Sequence, residues 1–112
     1  MLRSCFIMAS ALIFINSGLD MECASCIKMV NNARQHFGER ISNTTDLQFA
    51  EYFVRKCRHN RRKSPTLAAA CEEMLQNHPL VLFNDLRNHI TTLQTCVDCN
   101  LCLTTSTPST YL

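Results

Sequence analysis

Cys23-Ala24-Ser25-Cys26 is the stretch on which the reading of this chain turns. Residues three apart on a helix share a face, with Cβ atoms about 5 to 6 Å apart. Two thiols so placed point at one partner segment, and a matching group of cysteines recurs at Cys96 to Cys102. Cys57 and Cys71 lie between the two groups and can close a loop of their own. Around the quoted stretch, from Glu22 to Phe37, the apolar positions Cys23, Cys26, Ile27, Val30, Ala33 and Phe37 follow the spacing of a helix with one buried face. Lys28, Asn31, Asn32, Arg34 and Gln35 take the opposite face, and Gly38 supplies a stop. The apolar stripe is read as core packing rather than as a ligand surface.

Towards the N-terminus, Met1-Leu2-Arg3 is a short basic start and Cys5 to Ile15 an apolar run. With the small residues Asn16-Ser17-Gly18 they form the pattern of a secretory signal peptide over residues 1–18. The run is shorter than the roughly 20 apolar residues a membrane span needs, so no transmembrane span is expected after cleavage. The expected destination is secreted or extracellular, or an acidic lysosomal or granule-like compartment. The mature chain then carries ten Lys or Arg against nine Asp or Glu, a net charge of +1. Net charge of that size decides nothing about partners, so its distribution has to. A domain this small buries only a modest share of its surface. Disulfides, each contributing roughly 2 to 4 kcal/mol, commonly make up the difference in an oxidising compartment.

Towards the C-terminus, Asn43-Thr44-Thr45 is an N-glycosylation sequon, which requires an exposed position in an exported chain. Thr45 with Gln48 forms a capping box and opens a second helix, expected to end about Cys57 or Arg58. Its apolar members, Leu47, Phe49, Ala50, Tyr52, Phe53, Val54 and Cys57, make a stripe wider than one core face requires. Some of the aromatics are therefore expected at the surface. Residues 55–63 hold six of the ten mature basic side chains, Arg55, Lys56, Arg58, Arg61, Arg62 and Lys63, with no acid among them. They are read as a solvated loop that keeps the protein soluble, or as a patch attracting anionic lipid headgroups in preference to nucleic acid. A dibasic processing site is a third reading. Ser64-Pro65 starts a third helix with the stripe Leu67, Ala70, Cys71, Met74 and Leu75. Glu72 and Glu73 diverge by about 100° on it and are solvated charges rather than an acid–base pair. Asn77-His78-Pro79 ends that helix. Two short helices follow, jointed near Thr91-Thr92, and the run Leu80 to Phe83, apolar all round, is read as deeply buried in preference to a lipid-facing edge. Residues 104–112 read as a disordered Ser/Thr/Pro-rich tail.

Three readings of the cysteines compete. Cys96-x2-Cys99-x2-Cys102 has the local spacing of an iron–sulfur run, against which stand the export signal, the missing Cys-Pro and the 69 residues to Cys26. A redox motif at Cys23-x2-Cys26 lacks its flanking βαβ pattern. The third reading is a disulfide framework. The gaps along Cys23, Cys26, Cys57, Cys71, Cys96 and Cys102 are two, thirty, thirteen, twenty-four and five residues. In that order the chain resembles the saposin-like (saposin B-type) domain family over residues 22–103. The resemblance implies an all-α fold, a small disulfide-stapled bundle of four to five amphipathic helices. It also implies the pairs Cys23–Cys102, Cys26–Cys96 and Cys57–Cys71, one of the fifteen connectivities six cysteines allow. The Cys57–Cys71 interval is slightly longer than the family's, and Cys99 is surplus. Cys99 is read first as a free or buried thiol, second as the link of a homodimer, third as a substitute for Cys96 or Cys102.

No nucleophile–base pair, phosphate-binding glycine loop or metal signature stands out, and His36, His59, His78 and His89 are scattered over different segments. Neither enzymatic activity nor a cofactor or metal is expected. The resemblance implies lipid binding, lipid presentation or membrane permeabilisation of an antimicrobial type. Its expected course has two steps. The six basic side chains are drawn to anionic headgroups, at about 1 kcal/mol each. Phe49, Phe53, Leu82 and Phe83 then enter the acyl boundary. Four histidines charging in acid would raise the mature charge from +1 to +5 and strengthen that binding. The alternative is an exported helical module that binds a protein and has no lipid activity.

Overall fold

The computed structural model describes residues 21–103; the expected leader at 1–18 and tail at 104–112 lie outside the described residues. Helix α1 covers residues 21–37. Its stripe buries as expected, with Cys26, Val30 and Ala33 sealed from solvent. Met29 is buried beside them, its sulfur accepting from the Asn60 amide at 3.6 Å. Gly38 ends α1 at φ +57, in the left-handed region a glycine enters without a Cβ clash. A 3-10 segment, Gly38–Asn43, then carries the chain round and buries Ile41.

Thr45 opens α2 with both halves of the capping box formed: its hydroxyl accepts from the Gln48 N–H at 3.1 Å and its own N–H donates to Gln48 Oε1 at 2.9 Å. Helix α2 runs Asp46–Lys63, so the basic run is helical and not a loop. Arg and Lys are good helix formers, and Arg61, Arg62 and Lys63 in the last turn are favoured by the negative end of the helix dipole. Ser64 stops α2 and starts α3 (Pro65–Asn77), its N–H bonded to Asn60 and its hydroxyl accepting from Leu67. The two helices form a hairpin stapled by Cys57–Cys71. His78 and Pro79 mark the corner into α4 (Pro79–Arg87). The expected joint follows, with His89 at φ 57 and Thr91 capping α5 (Thr92–Asp98). The run Leu80 to Phe83 divides: Leu82 and Phe83 are buried, but Leu80 and Val81 are 65 % and 40 % exposed. A two-turn helix on the outside of a bundle has one inner face, which four consecutive residues cannot share.

The regular elements of the described residues are thus all helical, and the fold is a small all-α bundle stapled by three disulfides. Cys23–Cys102 and Cys26–Cys96 join α1 to the segment 96–102, with Cα atoms 4.5 and 5.9 Å apart. These pairs and Cys57–Cys71 coincide with those the family resemblance implies. With those thiols consumed, the iron–sulfur run keeps only Cys99, and Cys23 and Cys26 each bond a distant partner rather than each other. Between the hairpin and the other helices lies an aromatic core, in which Phe83 stacks on Phe49 at 5.3 Å and on Phe53 at 6.3 Å. Phe37 meets Phe49 edge-on at 5.0 Å.

Candidate functional site

The basic side chains of α2 are all exposed, but they do not all face one way. At about 100° per residue, Arg55, Arg58 and Arg62 fall with His59 on one outward stripe. Lys56 and Lys63 lie on one flank of it, and the Lys56 ammonium stands 5.6 Å over the Tyr52 ring. Arg61 is on the other flank, turned to α3, where its Nε donates to Glu72 at 2.8 Å.

The apolar half of the expected site is placed differently. Phe49, Phe53, Leu82 and Phe83 are buried in the core, so none of them meets solvent or a membrane in this conformation. The α2 stripe is wide, as the sequence indicates, but its surplus members at the surface are aliphatic: Leu47 is 68 % and Val54 41 % exposed. With Ala50 and the neighbouring Glu51 and Arg55 they line a shallow groove on the outer side of α2. The signal for this was present in the sequence. Leu47, Ala50 and Val54 are spaced i, i+3, i+7 on a face displaced from that of Phe49, Phe53 and Cys57. The aromatics go inward because they offer the larger apolar area to bury. The outer surface of α2 therefore carries an apolar ridge beside a basic stripe.

Asn43 is exposed at the end of the 3-10 segment, with Thr45 of its sequon engaged as the α2 cap. Cys99 is a free thiol and fully buried, which closes it to a partner chain in this conformation. Burial, and then the charges of Asp85 and Asp98, push its pKa up to about 12, so it stays protonated and unreactive. Those two carboxyls belong to a polar cluster under α1 that sequence reasoning missed. Arg34 donates to the Ile90 carbonyl, and burial lowers its pKa against the pull of Asp85. Burial and the neighbouring Asp98 raise the Asp85 carboxyl to about 7. The hydrogen bond from Asp85, then that from Gln94, holds Asp98 low. Asp85 thus keeps the shared proton in mild acid.

The histidines are dispersed over the surface. His36 lies on Tyr52 with ring centroids 4.7 Å apart, His78 is 3.5 Å from Glu73, and His89 is hydrogen-bonded to Ser42 at 2.8 Å. Ser42 and His89 are both exposed, and among the described hydrogen bonds none from the imidazole to a carboxylate orients it. Among the described residues no three His, Cys, Asp or Glu side chains gather as metal ligands, and no helix is long and apolar enough to cross a membrane. Comparison of the chain with protein-family models, curated proteins and solved structures finds no match.

Proposed function

We propose that the domain is an exported saposin-like protein that binds anionic lipid surfaces. The observation that carries this reading is the outer surface of α2, where Arg55, Arg58 and Arg62 run beside the exposed Leu47 and Val54. An amphipathic helix of that make-up is suited to the plane of a membrane interface, its cations among headgroups and its aliphatics at the acyl boundary. The six basic residues act in the first step, with Arg61 contributing least because Glu72 partly neutralises it. Leu47 and Val54 take the second step in the closed state. Phe49, Phe53, Leu82 and Phe83 reach lipid only if the α2–α3 hairpin parts from the other helices. Among the described residues no disulfide ties those two halves together, which leaves that route open. The same reading places the protein outside the cell or in an acidic lysosomal or granule-like compartment, with Asn43 as the glycan position.

Sedimentation with phosphatidylglycerol vesicles tests the proposal. Binding of the oxidised domain is expected to weaken as salt rises. A folded, oxidised domain that fails to sediment with these vesicles overturns the lipid reading in favour of a protein-interaction module, for which the Leu47–Val54 groove is also suited. Dye release from the same vesicles separates a permeabilising protein from a lipid carrier, which extracts lipid without leakage.

A further inference from the structure

The opposite flank of α2 faces the end of α1, and between them lies a cleft of about 380 Å³. His36 and Arg40 stand on one wall, Glu51 and Arg55 on the other, and Tyr52 forms the floor; Asn43 also lines the cleft, so binding there is a property of the domain without a glycan at Asn43. A second recess, of about 350 Å³, continues along α2 past Lys56 and His59. We propose that this cleft binds a phosphate-monoester group, carried on a lipid or free in solution.

Three observations support it. The charges facing the cleft are Arg40, Arg55 and Lys56 against the single Glu51, a net +2. Among the described residues, Arg34, Arg61 and Arg87 are engaged in hydrogen bonds; Arg40, Arg55 and Lys56, like Arg58, Arg62 and Lys63, have no hydrogen-bond or ion-pair partner, and what sets the first three apart is that they line the cleft and its continuation. Cations that converge on a concavity without an internal partner focus the field there and suit an oxyanion. The floor is also fixed. The Tyr52 ring is 2 % exposed, and His36 lies on it at 4.7 Å. Phe37 sits edge-on to the His36 ring at 4.8 Å. The imidazole is thereby held at the cleft wall rather than swinging in solvent.

The choice of a monoester follows from charge and shape. A diester phosphate carries one negative charge and is shielded by substituents on both sides. A terminal phosphate carries up to two and projects far enough to enter a walled recess. Lys63 and Arg62 continue the basic row one turn beyond His59, giving an approaching anion a graded path to the cleft. The lipid-borne form rests on the membrane reading above; the free form does not.

Two measurements on the oxidised domain test the proposal. The first follows the His36 and Tyr52 ring signals by NMR while inorganic phosphate and glycerol 3-phosphate are added. The second compares binding to phosphatidylcholine vesicles containing phosphatidic acid or phosphatidylglycerol at matched surface charge. The expected result is saturable shifts at both rings and a preference for phosphatidic acid of about tenfold, the scale of one charge-assisted contact. Arg40→Gln and Arg55→Gln should each abolish the preference. Arg58→Gln, which removes the same charge from the outer stripe, should weaken both vesicles alike and leave their ratio unchanged. Far-UV circular dichroism and disulfide mapping confirm that each variant is folded. Equal binding to the two vesicles with unmoved ring signals overturns the cleft and leaves the membrane reading standing. Shifted ring signals with no vesicle binding support the cleft in its free-phosphate form and overturn the membrane reading.

Discussion

The two halves of the molecule are held together by different means. In the seam between α1 and the segment that carries α5 and Cys102, Cys23–Cys102 and Cys26–Cys96 close separations of 79 and 70 residues. Polar contacts add to them, among them the Thr92 hydroxyl donating to Asn31 at 2.7 Å. The α2–α3 hairpin has one bridge, closing a separation of 14, with the Arg61–Glu72 pair and apolar packing beside it. Apart from the chain itself, the contacts described between hairpin and seam are non-covalent, among them the Phe83 stack, the Phe37 edge contact, Asn60 on Met29, and Arg87 reaching Asp46 at 2.7 Å and the Thr44 carbonyl at 3.0 Å. Crosslinks restrain each half internally and leave the boundary to side chains. That division allows the halves to be perturbed separately.

The largest effect is expected at the seam. Loop-closure entropy gives roughly 4 to 5 kcal/mol for a bridge spanning 70 to 79 residues and about 3 kcal/mol for one spanning 14. The two seam bridges are nested, however, so once one is closed the other removes little further freedom. Replacing all four seam cysteines by Ala should cost the most in urea denaturation, the Cys57→Ala/Cys71→Ala pair less, and either seam bridge alone least. A single seam bridge whose loss costs as much as losing both would refute the nesting argument. Next comes the boundary, where Phe49→Ala should cost about 3 to 4 kcal/mol by leaving a cavity against Phe83 and Phe37. The same substitution should speed amide exchange in both halves. Exchange confined to the hairpin would show that the aromatic core belongs to the hairpin alone.

A smaller effect separates the halves by pH. The Asp85 carboxyl is raised to about 7 in the folded state, so its contribution is complete below the unfolded carboxyl range and is lost as pH rises towards about 7. Asp98 is shifted the other way, and its contribution is lost as pH falls below the ordinary carboxyl range. The seam is therefore firmest in mild acid. Because Asp85 is only partly buried and its charge is partly screened by solvent, the loss by about pH 8 is put at roughly 1 kcal/mol rather than the full value of the shift. Asp85→Asn should flatten the stability profile between about pH 5 and 8, and an unchanged slope in that variant would assign it to other groups. The smallest effect belongs to the Arg61–Glu72 pair of the hairpin. Arg61→Ala should cost under about 1 kcal/mol and fade in salt.

What the sequence disclosed, and what it did not, follows the range of the interactions concerned. Thr45 with Gln48, Ser64 with Pro65, and Gly38 are signals contained in a few residues, and each marks a helix end in the structure. The cysteine spacing became informative only through its resemblance to a known domain. The reach of α2 through Lys63 was hidden because a run of Arg and Lys suits an exposed loop and a helix equally well; packing against α3 decides between them. The exposure of Leu47 and Val54 and the burial of Phe49 and Phe53 depend on which side of α2 meets Phe83, a contact the chain makes only after folding. The same holds for the cleft. Its walls come from two elements, and only the fold brings His36 onto Tyr52.

The position of the bridges also bears on what a protease would leave behind. A trypsin-like cut after Arg61 or Arg62 falls inside the spans of all three crosslinks, since each joins a residue before the cut to one after it. The nicked polypeptide would run as a single band until a reductant was added and then divide in two. A gel without reductant would therefore pass severed material as intact.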